Sequence, residues 1–129
     1  MARGLNKVMV IGYLGRDPEM RFTPSGKSVA NFSIASSRSW RTPDGETHTE
    51  TEWFNVVTWE KLAEFSKEHL KKGSRIYVEG RLQSRKWQDS EGAQHKSIEI
   101  VASEILLLSD ANHEYGSTES DEEGEPYPF

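Results

Sequence analysis

Four tryptophans keep polar and charged company in this chain. Trp40 lies in Ser37-Arg38-Ser39-Trp40-Arg41, and Trp87 in Arg85-Lys86-Trp87-Gln88. Trp53 follows Glu50-Thr51-Glu52, and Trp59 stands between Thr58 and Glu60-Lys61. A core tryptophan ordinarily has apolar neighbours at the period of its own strand or helix. Any one of these alone also suits a half-buried structural role, but four exposed indoles together need a function. Large aromatic faces beside cations suit stacking on nucleobases while the cations hold phosphates.

Other chemistry is poorly represented. The absence of cysteine excludes disulfides, thiolate metal sites and cysteine nucleophiles, and fits a reducing compartment. His48, Glu50 and Glu52 form a superficially metal-like cluster. They fall on a hairpin arm, where solvated polar side chains are ordinary. His95 is isolated, and His69 is expected to pack at the edge of the body. No phosphate-binding glycine loop and no nucleophile–base constellation is present. The chain is therefore not expected to be an enzyme, and no cofactor or metal is expected.

The net charge of −5 is unevenly distributed. All 16 Lys and Arg lie between Arg3 and Lys96, against 14 of the acids, so residues 1–108 carry +2. The other 7 acids lie from Asp110 onward, and residues 109–129 carry −7. Two parts are expected: a mildly basic body over 1–108 and an acidic tail over 109–129. No apolar stretch approaches the length of a membrane span, and the first residues lack the apolar segment of a signal peptide. A cytoplasmic, nucleoid-associated location without membrane association is expected.

The body reads as strands that must carry these indoles. Lys7–Leu14 is apolar on nearly both faces, with Gly12 marking a bend or a close backbone approach. Ser28–Trp40 places Ala30, Phe32 and Ile34 on one face. Arg41-Thr42-Pro43-Asp44-Gly45 signals a hairpin. Glu50–Val57 sets Trp53, Asn55 and Val57 against Phe54 and Val56. Glu60–Gly73 has helical period, with Leu62, Phe65, Ser66 and His69 on one stripe, Thr58 suited to cap its start and Gly73 to stop it. Arg75–Trp87 alternates Ile76, Val78, Gly80 and Leu82 with Tyr77, Glu79, Arg81, Gln83, Arg85 and Trp87. A turn at Asp89-Ser90-Glu91-Gly92 leads into Lys96–Leu108. Five strands with one α-helix between the third and fourth is the order of an all-β oligonucleotide/oligosaccharide-binding (OB-fold) barrel.

From Ser109 the hydrophobic period stops, and the tail is expected to be disordered. Yet it ends Asp121-Glu122-Glu123-Gly124-Glu125-Pro126-Tyr127-Pro128-Phe129, an apolar, proline-stiffened tip on an acidic leash. This suits a docking peptide for partner proteins. As a coil the leash spans roughly 25 Å.

The body resembles the bacterial single-stranded DNA-binding proteins from Asn6 to about Leu108. The resemblance is densest in Asn6-Lys7-Val8, Gly12-Tyr13-Leu14-Gly15-Arg16-Asp17-Pro18-Glu19, Thr51-Glu52-Trp53, Lys61-Leu62-Ala63-Glu64, Lys71-Lys72-Gly73-Ser74, Tyr77-Val78-Glu79-Gly80-Arg81-Leu82 and Arg85-Lys86-Trp87. It implies stacking by Trp40, Trp53, Trp59 and Trp87, the same four that the residues themselves single out. It implies phosphate contacts by Arg3, Lys7, Lys61, Lys72, Arg85 and Lys86. Arg41 and Arg81 are added from strand geometry alone. It also implies a homotetramer wrapped by single-stranded DNA, and roles in replication, recombination and repair. Tyr77, Phe54 and the strand-one residues are candidates for a subunit interface. The tail departs from the family pattern: Glu-Gly-Glu and Pro-Tyr stand where aspartates and an aliphatic residue are usual, and only Pro128-Phe129 matches. The alternative is an OB-type RNA binder or primosomal accessory protein, which fits the tryptophans but not the tail.

Overall fold

The computed structural model describes residues 4–109. Arg3 and the tail tip, Asp121, Glu122, Glu123, Glu125, Pro126, Tyr127, Pro128 and Phe129, lie outside the described residues. Six strands and one helix follow in the order β1 (Val8–Leu14), β2 (Glu19–Phe22), β3 (Ser28–Arg41), β4 (Thr47–Trp59), α1 (Lys61–His69), β5 (Arg75–Gln88) and β6 (Gln94–Ser109).

Five of these strands make a closed barrel. The sheet runs β1-β5-β6-β4-β3, and β1 returns to pair with β3 through Tyr13↔Ala35 and Leu14↔Ile34. All pairings are antiparallel except β4–β6, which run parallel at Asn55↔Glu99, Val56↔Ile100 and Val57↔Val101. The expected five-stranded OB-fold barrel, with its helix between the third and fourth barrel strands, is present. The sixth strand, β2, was not expected. It is a four-residue edge piece that pairs only with the start of β3, too short for a hydrophobic alternation to announce it.

Alternation fills the interior. Leu14, Phe32, Ile34, Val56, Ile76, Val78, Ile100 and Ile105 form the core with Leu70 from the end of the helix, and Phe54 packs against it. Phe54 thus faces inward and is partly buried. Closure needs two glycines. A Cβ on Gly12 would stand 2.5 Å from the carbonyl oxygen of Ala35, where β1 meets β3. A Cβ on Gly80 would stand 2.1 Å from the carbonyl oxygen of Val101, at the bulge that shifts the β5–β6 register between Glu79 and Gly80.

The helix departs from expectation at both ends. Thr58 does not cap it: its hydroxyl donates to the Ala30 carbonyl at 3.1 Å inside the barrel wall. The residue before the helix is Glu60, at φ 55, with no side-chain cap bond. Its amide donates instead to Ser28 at 2.9 Å. At the other end Leu70 turns extended, φ −105 and ψ 147, which carries its side chain into the core. The helix stops there, short of Gly73. Its buried positions are Ala63 and Ser66, whereas His69 lies outside against Phe65, ring centroids 4.9 Å apart. No helix among the described residues is long and apolar enough to cross a membrane.

Gly80→Ala is expected to cost on the order of 3 kcal/mol, because the obstructing atom is backbone and cannot swing away. Gly4→Ala, which meets nothing within 4 Å, is the matched control. Urea unfolding of the two variants checks this; equal midpoints would mean that the barrel does not close as tightly as described.

Candidate nucleic-acid interface

β1 has seven residues, but β3 to β6 have 13 to 16. The outer halves of both long hairpins therefore run beyond the closed barrel as two-stranded arms that carry Trp40 and Trp87, whereas Trp53, opposite Ala35, and Trp59, opposite Val29, lie on the barrel wall. Trp40, Trp53, Trp59 and Trp87 are 40, 58, 41 and 43% exposed, whereas Phe32 on the same sheet is 1% exposed.

Strand alternation sorts them onto two faces. The β3–β4 ladder has no bulge: Trp53 lies opposite Ala35, Trp59 opposite Val29 and Trp40 opposite His48. Trp53 and Trp59 thus share the outward face of the barrel wall. Trp40 shares the opposite face, the one continuous with core residues Phe32 and Ile34. On β5, Trp87 lies outward with Arg81 and Arg85, opposite β6 residues His95, Ser97, Glu99 and Val101. Since β6 lies between β5 and β4, Trp87, Trp53 and Trp59 flank one continuous outward surface. Trp53 is seated against Gly15, so closely that a Cβ there would come within 2.6 Å of its Cζ3.

The outward face of β3–β4 carries a single charge, Arg41, among hydroxyls that bond in pairs: Ser37 with Thr51 at 2.9 Å and Ser39 with Thr49 at 3.0 Å. The acids Glu50 and Glu52 lie with Trp40 on the other face. There Arg38 pairs with Glu50 at 2.8 Å and its guanidinium carbon stands 4.6 Å from the Trp40 ring centre.

The predicted cations divide in the same way. Arg41, Arg81 and Arg85 are on the outward surface; Lys86 points with Lys96 to the other face of the β5–β6 arm. Lys61 opens the helix. Lys72 lies in the turn after the helix, where its backbone amide donates to Asp17 Oδ1 at 2.8 Å. Two cations are already paired: Arg85 with Glu99 at 3.3 Å and Lys7 with Glu79 at 3.1 Å. Arg81 donates to Gln83 at 3.1 Å. Among the described residues the side chains of Arg41, Lys61, Lys72 and Lys86 enter no ion pair. No group of three or more His, Asp or Glu among the described residues is placed to hold a metal ion.

Residues 5–108 match the profile of the single-strand binding protein family. The chain belongs to that family. It is 45% identical over 118 residues to a single-stranded DNA-binding protein of Neisseria meningitidis serogroup A, covering 92% of this chain and 68% of the relative. It is 49% identical over 109 residues to single-stranded DNA-binding protein 1 of Chlorobaculum tepidum, covering 84% of this chain and 67% of the relative. Its fold is similar to that in the structure of the Plasmodium falciparum SSB complex with ssDNA, with a TM-score of 0.78 and 30% identity over 84% of this chain and 99% of that one.

In this member of the single-strand binding protein family, three residues near the indoles escaped sequence reasoning: Arg38, His48 and His95. His95 is not isolated. It lies directly across from Trp87, ring centroids 4.3 Å apart. The signal was available in the alternation, since Trp40 stands two residues from Arg38 on one face and each histidine follows its tryptophan at hairpin spacing.

A second polar group fixes Lys7. The Tyr77 hydroxyl donates to Glu79 Oε1 at 2.6 Å, and Lys7 closes on the same carboxylate. The bond to Glu79, then burial and the charges of Glu79 and Glu104, push the Tyr77 phenol up to about 12. Glu79 is held below the usual carboxylate range by Tyr77 first and Lys7 second. The stabilisation from Tyr77 is therefore full below its ordinary value of 10.0 and lost as pH rises towards about 12. Ultraviolet titration of the phenols is expected to show one late tyrosine, absent in Tyr77→Phe and moved back towards ordinary values in Glu79→Gln. A Glu79→Gln curve identical to that of the unaltered protein would rule out the bond.

Proposed function

We propose that this protein binds single-stranded DNA without sequence preference and protects it during replication, recombination and repair. The observation that carries the reading is the outward surface itself: three exposed indoles and three arginines, with Glu99 the only carboxylate among the β5–β6 side chains that flank them beyond the bulge. Every base has a π-face, so stacking tolerates any sequence, at roughly 1–3 kcal/mol per base. Arg41, Arg81, Lys61, Lys72 and Lys86 supply phosphate contacts; Lys7 and Arg85 contribute less, because each must first give up a carboxylate. The relatives named single-stranded DNA-binding proteins support the same reading.

The faces add a constraint on the path. A strand lying along Trp53, Trp59 and Trp87 cannot reach Trp40 on the same surface. It must pass around the edge of the β3–β4 arm, or Trp40 must take a separate stretch of DNA. Self-assembly belongs to the same reading: Met9, Tyr13, Leu106 and Leu108 are exposed on β1 and β6, beside Tyr77. An apolar sheet face of this kind suits burial against a second copy, with a homotetramer as the full assembly.

Titration with mixed-sequence single-stranded DNA is expected to quench the tryptophan fluorescence strongly, with little response to duplex DNA. RNA quenching as strongly as DNA would favour an RNA-binding role instead. Trp53→Ala and Trp87→Ala are each expected to weaken binding by roughly five- to a hundredfold, more than any single Lys→Ala change. Equal losses for tryptophan and lysine variants would overturn that ranking.

The tail, Ser109–Phe129, is proposed to recruit partner proteins through its tip and to compete with DNA for the cations through its charge of −7. Deleting residues 109–129 is expected to tighten DNA binding at low salt, to make little difference at high salt, and to abolish partner capture. Unchanged affinity at low salt would exclude the competition.

A further inference from the structure

The two arms end in the same sequence unit. Arg38-Ser39-Trp40, then Gly45, then His48 corresponds residue for residue to Arg85-Lys86-Trp87, then Gly92, then His95. The loops between them have the same geometry. The Thr42 amide donates to the Glu46 carbonyl and the Gly45 amide to Thr42, both at 2.9 Å; the Asp89 amide donates to Ala93 and the Gly92 amide to Asp89, both at 3.0 Å. Gly45 and Gly92 hold φ of 89 and 85, conformations that suit glycine alone. This turn places each histidine directly opposite its tryptophan. In both arms the rings are stacked: Trp87 on His95 at 4.3 Å and 18°, Trp40 on His48 at 5.6 Å and 20°.

The second unit is held the more firmly. Asp89 Oδ1 accepts the amides of Glu91 and Ala93, both at 2.9 Å, so the loop fixes the carboxylate. Asp89 Oδ2 then lies 2.8 Å from His95 Nε2, placed to accept its N–H. This bond, with the two amides, holds Asp89 below the usual carboxylate range. The chain of constraint runs from loop to Asp89, to imidazole, to indole. In the first unit Asp44 bonds the Thr42 hydroxyl rather than the histidine, and His48 is 3.7 Å from Glu46. Among the described residues, Trp53 and Trp59 have no such aromatic backing.

We propose that His95 is a positioning residue for Trp87, and that His48 plays the same part more loosely for Trp40. The imidazole covers one indole face and fixes the ring plane, so that a base stacks on the other face without first having to order the side chain. The role is that of a ring rather than a charge.

The inference rests on the proposed binding of single-stranded DNA, and its test separates the two. Affinity for mixed-sequence single-stranded DNA is measured at several salt concentrations for the unaltered full chain, His95→Leu, His95→Phe, Trp87→Ala and the double variant His95→Leu/Trp87→Ala. His95→Leu is expected to weaken binding about three- to tenfold, the size of an aromatic pair, with an unchanged salt slope. His95→Phe restores the ring and is expected to bind within about twofold of the unaltered protein. In the Trp87→Ala background, removing His95 is expected to change nothing further. Full affinity in His95→Leu overturns the proposal. So does failure of His95→Phe to rescue, which would make His95 a cation or hydrogen-bond donor to DNA. So does an undiminished loss in the Trp87→Ala background, which would make the contact direct. If melting shows that His95→Leu disrupts the arm, Asp89→Asn takes its place, with a smaller loss expected and none overturning the proposal. Absence of binding by the unaltered chain would remove the functional reading, and this one with it.

Discussion

The short first strand governs the molecule. β1 has seven residues to offer, and the strands on either side of it have 14 each. It closes the barrel over about half of their length, and only that half has an interior to fill. The large buried side chains, Phe32, Ile34, Val56, Ile76, Val78 and Ile100, all lie in the closed part. Beyond it, the hairpins keep their ladders but have no core beneath them. An indole on such an arm has no apolar place to go, so it stays in solvent. The same constraint explains why Gly12 and Gly80 are glycines: closing a barrel this small brings the backbone of one strand against the Cβ position of another.

Charge is sorted by the same alternation. A body with a net charge of only +2 would be a poor polyanion binder if its charges were mixed at random. On the first arm the acids are kept to one face. Every even position from Ser36 to Trp40, and from His48 to Glu52, faces one way, and the acids Glu50 and Glu52 are among them. The opposite face keeps Arg41 and the hydroxyls. On the second arm the nearly buried Glu99 neutralises Arg85. With Arg85 paired, the outward surface keeps three indoles against two uncompensated arginines, so the proposed binding would lean on stacking more than on counterion release.

Much of the fold was legible because burial enforces period. Ala30, Phe32 and Ile34, or Ile76 and Val78, read as strands since only alternate positions meet the core. The helix was legible in extent but not at its ends. Thr58 looked like a cap, yet a residue still in a strand spends its hydroxyl on the neighbouring strand. Leu70 continued the helical pattern, yet the core took it in extended form. β2 was illegible because four residues with one half-buried position make no period. For the candidate site, residue type picked out the tryptophans, but it did not assign them to faces. Counting by twos from Ile34 reaches Trp40, and counting by twos from Val57 reaches Trp53 and Trp59. The split was in the sequence, hidden only by treating the four as one set. The stacked histidines were harder, because their meaning depends on the number of residues in each turn.

The parallel seam between β4 and β6 is three residue pairs long, Asn55–Val57 against Glu99–Val101. Past Asn55 and Glu99 nothing in the sheet ties one arm to the other. Each arm is therefore a cantilever rooted in the barrel, and its opening costs far less than global unfolding. Amides towards the tips are expected to exchange with solvent before those of the barrel. A ligand laid across both cantilevers stiffens what was soft and leaves the barrel as it was. Much of its binding signature would then be a loss of motion, legible in hydrogen exchange even where no atom of the barrel moves.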